Sequence, residues 1–206
     1  MTDLHIILLS VLQGLTEFLP VSSSGHLILF SQFTTFPDQG LALDVAVHLG
    51  SIIAVVIYFW SDVWMVIKGT LKTFFIPDFR NQGNRLFWLI FIGTIPVVLF
   101  GLFLRNLGIE FRDADGSKII GWTILGFGLL LCVADCIGMT IRKVEHLGVI
   151  DALLIGLAQC LALIPGTSRS GITITMARFL GLERKEAAKF SMLLAIPAIV
   201  GAASLV

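Results

Sequence analysis

Apolar residues run along this chain in long blocks, and the blocks set its predicted elements. A helix crosses a bilayer in about 20 residues at 1.5 Å per residue. Blocks of that length stand at 41–60 (LALDVAVHLGSIIAVVIYFW), 86–104 (LFWLIFIGTIPVVLFGLFL) and 119–138 (IIGWTILGFGLLLCVADCIG). A fourth begins at Ala187 and runs AAKFSMLLAIPAIVGAASLV to Val206. The charged stretches 61–85 and 105–118 read as loops between them. Two further apolar stretches, 4–32 and 147–181, are each interrupted near the middle by a polar cluster, LPVSSSGH in the first and PGTSRSG in the second. Lipid offers no partner for exposed backbone, so such a break predicts a re-entrant hairpin of two short helices lined by protein or by a cavity. The pattern predicts an all-α, polytopic integral membrane protein with two re-entrant broken-helix hairpins and several transmembrane helices.

The two hairpins resemble each other. QGLTEFLPVSSSGHLI and QCLALIPGTSRSGITI share a Gln, a Pro and a Ser-rich turn leading into a short helix, with one residue of slippage, and AVHLGSIIAV (46–55) then matches AAKFSMLLAI (187–196). This is an internal repeat with an offset of about 140 residues within one membrane domain spanning 1–206, with repeat 1 over about 1–104 and repeat 2 over about 119–206. Three spanning segments separate the hairpins, so the second copy enters the membrane from the opposite side and the repeat is inverted. That architecture brings half-helix ends together near the bilayer midplane, where they build a site.

Composition removes the competing classes. Of 206 residues, 56% are hydrophobic and 14% charged, and the mean hydropathy is +0.95; a soluble domain and a disordered chain are both excluded. Lys and Arg number 14 against 14 Asp and Glu, which leaves no basic excess for a nucleic-acid partner. Cys132, Cys136 and Cys160 lie inside apolar runs and act as small hydrophobes. The start, MTDLHIILLS, has Asp3 and His5 where a signal peptide needs basic residues, so the N-terminus is read as part of the fold. The far end is still apolar at Val206, and a further C-terminal portion is expected.

The basic residues orient the chain, because cytoplasmic loops carry the excess of Lys and Arg. With 61–85 inside, ten lie there: Lys68, Lys72, Arg80, Arg85, Arg142, Lys143, Arg178, Arg184, Lys185 and Lys189. Three lie outside, Arg105, Arg112 and Lys118, offset by Glu110, Asp113 and Asp115. The first hairpin then faces outward and the second enters from the cytoplasm.

Ionisable groups within apolar segments are costly and are candidates for function. They are Glu17, His26, His48, Asp135, Asp151 and Arg169. Asp135 and Asp151 fall near segment ends and read as interfacial or structural, and His48 as a hydrogen-bonded packing residue. Glu17, His26 and Arg169 sit in or beside the breaks. Gln13 and Glu17, four apart, share one helix face, and Pro20 ends that helix before Ser22, Ser23, Ser24, Gly25 and His26. Serines there can cap the next helix, whose first N–H groups bind anions. In the second break Gly166 and Gly171 permit close backbone approach, while Arg169, Thr167, Ser168, Ser170 and Thr173 can grip phosphate oxygens, a task suited to the guanidinium fork. Pairing of Arg169 with Glu17 is the alternative. The attacking group is left open between Ser23, with His26 as base, and a water molecule activated by His26 or Glu17.

QGLTEFLPVSSSGH and PGTSRSGIT resemble the two signature motifs of the bacterial undecaprenyl pyrophosphate phosphatases, the bacitracin-resistance proteins, and the similarity covers essentially all 206 residues in order and spacing. The resemblance implies hydrolysis of the C55 isoprenoid pyrophosphate to the monophosphate and inorganic phosphate at the outer face of the plasma membrane. It implies Glu17, Ser23, His26 and Arg169 as catalytic residues and Gln13, Ser22, Ser24, Gly166, Thr167, Ser168, Ser170 and Thr173 as substrate ligands. A divalent cation, magnesium or calcium, is expected on Glu17 and Gln13, since Arg169 and His26 cannot balance a pyrophosphate. The family's first motif takes Glu or Gln at the position of Gln13, so this chain offers one carboxylate there. Its partners are then a polyprenyl pyrophosphate lipid, the membrane and, as an expectation, a second copy in a homodimer. A polyprenyl-phosphate transporter or flippase is the other reading, because inverted repeats with broken helices also build carriers. A carrier needs Arg169 but has little use for Glu17 beside His26. A phosphatase of the phosphatidic-acid type fails for want of its basic first motif and its later His–Asp pair.

Overall fold

Polar side chains at helix starts punctuate the chain into nine α-helices among the residues that the computed structural model describes, 2–108, 116–137 and 141–203. Thr2, Ser22, Asn81 and Ser168 each accept a backbone N–H three residues on, satisfying donors that a helix start leaves orphaned. The helices so opened are α1 (Asp3–Thr16), α2 (Ser23–Phe33), α5 (Gln82–Asn106) and α8 (Arg169–Phe179). The rest are α3 (Gly40–Tyr58), α4 (Trp60–Lys72), α6 (Gly116–Cys136), α7 (Val149–Gln159) and α9 (Arg184–Ala203). A 3-10 turn over Cys160–Leu163 extends α7 towards the second break.

Three of these helices are long and apolar enough to cross a membrane: Gln82–Asn106, Lys118–Cys136 and Arg184–Ala203. Their outward faces carry large bare hydrophobics such as Leu99, Trp122 and Leu129. Water would not tolerate so continuous an apolar surface, and acyl chains would. The predicted span over 41–60 differs in form. α3 turns by 84° into α4 at Phe59, and the two qualify as a span only as a bent pair. The stretch 61–85, read from its charges as a loop, therefore opens with a helix. α4 is amphipathic: Val63 and Val66 pack on the buried core, while Lys68 lies over the Trp64 ring at 5.1 Å. A helix of that kind, turned across the end of a span, suits the membrane interface.

The two broken stretches fold as hairpins, α1–α2 and α7–α8. Their turns are equivalent in detail. Ser22 Oγ accepts Gly25 N–H at 3.1 Å and lies 3.2 Å from Ser24 Oγ; Ser168 Oγ accepts Gly171 N–H at 3.0 Å and lies 3.1 Å from Ser170 Oγ. The hairpins meet at their tips, where Ser170 Oγ donates to the Leu19 carbonyl at 3.1 Å.

α5 and α7 form the spine that holds the second hairpin. They cross backbone to backbone at Gly93 and Gly156, where a Cβ on Gly156 would collide with the Gly93 carbonyl. Around the crossing Leu86, Leu89, Ile155, Phe190 and Leu194 make the main buried cluster. At one end of the bundle, Asp135 takes Arg178 at 3.0 Å and Arg184 at 2.6 Å, Asp151 takes Arg142 at 2.5 Å, and Lys189 reaches Asp62 at 2.5 Å. Arg85 donates to the Leu147 carbonyl. Asp135 and Asp151 are thus structural, at segment ends as expected, and basic residues assigned to one side of the membrane share a single ionic face. Glu110, Arg112, Asp113 and Asp115 lie outside the described residues.

Candidate functional site

Glu17 follows the last residue of α1 and donates its N–H to the Gln13 carbonyl at 2.9 Å, so the helical register places its side chain one turn beyond that of Gln13. It is 6% exposed, and a carboxylate so buried must be paired. Its Oε1 accepts Arg169 Nη2 at 2.7 Å. Its Oε2 accepts the Ser23 hydroxyl at 2.7 Å and the Gln13 amide at 2.9 Å, with His48 Nε2 at 3.5 Å. One carboxylate therefore ties together α1, the first residue of α2, α3 and the first residue of α8.

That hub lines a cavity of about 420 Å³. The polar wall comes from both breaks: Ser22, Ser23 and Ser24 from the first, Thr167, Ser168, Arg169 and Ser170 from the second. The N-termini of α2 and α8 both open there, and free N–H groups at a helix start favour anions. The apolar lining comes mostly from Val97 of α5, Ala162 and Leu163 of the 3-10 turn, and Ala198, Ile199 and Ala202 of α9. The arrangement offers phosphate ligands and a hydrocarbon surface within one cavity.

The remaining predicted residues stand behind this wall. Gln13 is buried and fixes Glu17 through its amide. Thr173 donates to the Arg169 carbonyl at 2.9 Å and lies 2.7 Å from Ser191 Oγ, so it steadies the helix turn that carries Arg169. Gly166 has φ +86°, and a Cβ there would meet Thr123 Oγ1 and the Ile120 backbone. Only glycine fits this turn without strain. Thr123 donates to the Pro165 carbonyl at 2.8 Å and ties the tip to α6.

His26 does not reach the cavity wall. Its Nδ1 lies 2.6 Å from the Ser22 carbonyl, one turn back on its own helix. Ser23 instead finds Glu17, and the imidazole beside Glu17 is that of His48, whose Nδ1 lies 2.6 Å from the Asp44 carbonyl. His48 and Asp44 both line the cavity; the sequence reading took His48 for a packing residue and left Asp44 out. It also left out Gln159, which is fully buried on the cavity wall with neither amide atom partnered. The signal for Gln159 lay in the repeat, where it matches Gln13.

No three of His, Cys, Asp and Glu converge among the described residues in a way that would hold a metal. The hard oxygens to hand are the Glu17 carboxylate and Gln13 Oε1, which is buried without a partner. Two such ligands suit a magnesium-type ion, which is commonly held by one or two protein oxygens with substrate phosphates and water completing the shell.

Comparison with known proteins agrees with this chemistry. Residues 6–206 match the family model described as bacitracin resistance protein BacA. The chain is 53% identical over 209 residues to undecaprenyl-diphosphatase 1 of Rhodospirillum rubrum, covering 98% of this chain and 73% of that protein. It is 52% identical over 200 residues to an undecaprenyl-diphosphatase of Roseobacter denitrificans, covering 97% and 74%. Against the undecaprenyl-diphosphatase of Erythrobacter litoralis the figure is 44% over 226 residues, covering 100% and 79%.

Proposed function

The chain belongs to the bacitracin-resistance protein family, and from that membership and the hub at Glu17 we infer that it hydrolyses undecaprenyl diphosphate to undecaprenyl phosphate and inorganic phosphate. The reaction returns the lipid carrier to peptidoglycan synthesis and accounts for bacitracin resistance. The observation that carries the reading is a serine hydroxyl bonded to a buried carboxylate, which is itself paired with an arginine from the other hairpin, in a cavity whose lining is otherwise largely apolar.

The residues assign themselves steps. Ser23 Oγ gives its proton to Glu17 Oε2, along the 2.7 Å hydrogen bond, as it attacks the terminal phosphorus. The bond from that phosphorus to the bridging oxygen breaks, and the lipid monophosphate leaves. Water then attacks the phosphoserine and inorganic phosphate departs, the proton on Glu17 returning to Ser23. Arg169 turns its fork from Glu17 to the phosphate oxygens, where charge-assisted bonds replace the resting ion pair. The N-terminus of α2 orients the terminal phosphoryl. Glu17 and Gln13 would hold a divalent cation, which supplies positive charge to the phosphates when bound. The apolar wall takes the isoprenoid tail.

The ionic face around Asp135 and Asp151, with the Lys and Arg asymmetry, supports a cytoplasmic position for that end and a site in the bacterial inner membrane reached from the outer side. A cysteine introduced at position 82 should be shielded from an impermeant reagent in intact cells; labelling there would reverse the orientation. Hydrolysis itself is tested with purified protein in detergent. Phosphate release from a polyprenyl diphosphate should occur, stop with chelator and resume on adding magnesium or calcium. Translocation of the lipid without phosphate release would favour the carrier reading and overturn this one.

A further inference from the structure

The two hairpins are near copies, yet one position has lost its partner. In the first, the Gln13 amide donates to Glu17 one turn on. In the second, the residue four beyond Gln159 is Leu163, which has nothing to accept with. Gln159 is 0% exposed, and both its Nε2 and its Oε1 lack a partner. Thr167, 2% exposed, has an unpartnered Oγ1, and both residues line the cavity, Thr167 immediately before the N-cap of α8. Buried polar groups left bare are destabilising, and they persist where a ligand completes them.

A diphosphate has two phosphoryl groups, and the cavity has two helix N-termini. The N-terminus of α2 carries Ser23, the group that attacks. Of the apolar lining, Ala162 and Leu163 belong to the second hairpin's own 3-10 turn and Val97 to α5, which packs on that hairpin. A lipid whose tail follows that wall sets its proximal phosphoryl against the second hairpin and its terminal phosphoryl against the first. We propose that Gln159, with Thr167 beside it, binds the phosphoryl group that stays on the lipid, and so makes the site select a diphosphate and hold the monophosphate as its leaving group. The Gln159 Nε2 and Thr167 hydroxyl donate to that group's non-bridging oxygens, while Arg169 spans the two phosphoryls. The proposal deepens the hydrolase reading and rests on it.

The test uses the full chain in detergent, with Gln159→Leu as the first variant and Thr167→Val as the second. Each removes a polar group that the resting fold leaves unbonded, so neither should lower the thermal midpoint. Loss of a charge-assisted hydrogen bond to phosphate should lower kcat/KM for a polyprenyl diphosphate by about ten- to a hundredfold. Inhibition by polyprenyl monophosphate should weaken by a similar factor, with inhibition by inorganic phosphate unchanged. Monophosphate inhibition equal to wild type in both variants would overturn the proposal while leaving the hydrolase reading intact. Equal loss of monophosphate and inorganic phosphate inhibition, with a lowered midpoint, would make Gln159 a structural residue and overturn it too. A wild type that releases no phosphate would remove the hydrolase reading and this proposal with it.

Discussion

Ser22 and Ser23 are neighbours with opposite duties, so replacing each by alanine separates capping from chemistry. Ser22 Oγ receives the Gly25 N–H at 3.1 Å and does nothing for Glu17. Its loss removes an N-cap, at about 1 kcal/mol, which in a chain of this length moves the thermal midpoint by about 2–4 °C. Turnover should stay within about tenfold of wild type, because losing one hydroxyl of the polar wall leaves the Ser23–Glu17 pair in place. Ser23 Oγ donates to Glu17 Oε2 at 2.7 Å. Without it the carboxylate keeps Arg169 at 2.7 Å and Gln13 at 2.9 Å, so Ser23→Ala should cost about 1–2 kcal/mol of stability. Turnover should fall on the order of a thousandfold or more, as expected when a nucleophile is removed from a unit of interdependent groups. The assay is phosphate release from a polyprenyl diphosphate, with melting followed on the same preparations. If Ser23→Ala keeps a large part of wild-type turnover, water is the attacking group. If Ser22→Ala is as inactive as Ser23→Ala, the division of labour between the two hydroxyls is wrong.

Arg169→Lys should be nearly as damaging as Arg169→Ala, since an ammonium can balance Glu17 but cannot span two phosphoryl groups. Each should lose about 3 kcal/mol of transition-state stabilisation, on the order of a hundredfold in kcat/KM, and a lysine variant near wild-type rate would reduce Arg169 to a counter-ion. Gly156→Ala should lower the thermal midpoint by an amount equivalent to about 3 kcal/mol, because its Cβ must force α5 from α7. Gly126→Ala on α6, which meets nothing within 4 Å, should leave the midpoint unchanged or raise it slightly; equal losses in the two would refute the backbone crossing.

The hairpins were legible because a polar break in an apolar run has few solutions in lipid. The repeated Ser-rich turn foretold that both half-helices would be capped alike, as Ser22 and Ser168 are. Charge logic alone named Glu17 and Arg169 as possible partners, and they meet at 2.7 Å. The histidines were harder. His26 and His48 both sit one turn after a carbonyl that engages Nδ1, and only the phase of α2 and α3 about the cavity decides which reaches Glu17. That phase depends on how α1, α2 and α3 pack, which a single chain's periodicity does not contain. Gln159 was hidden by the apolar run around it and becomes conspicuous once its amide is seen unpartnered. α4 was obscured by Asp62, Lys68 and Lys72, whose charges read as a loop; Lys68 and Lys72 are exposed on the helix, and Asp62 turns inward to Lys189 of α9.

With the terminal phosphorus at Ser23 and the lipid-borne phosphoryl on the second hairpin, the position of bond cleavage is the most direct test. Purified protein turning over a polyprenyl diphosphate in water enriched in heavy oxygen should yield one equivalent of inorganic phosphate for each lipid monophosphate. The heavy atom should lie in the inorganic phosphate and be absent from the lipid product. Heavy oxygen in the lipid monophosphate, release of intact pyrophosphate, or no turnover at all would contradict that placement.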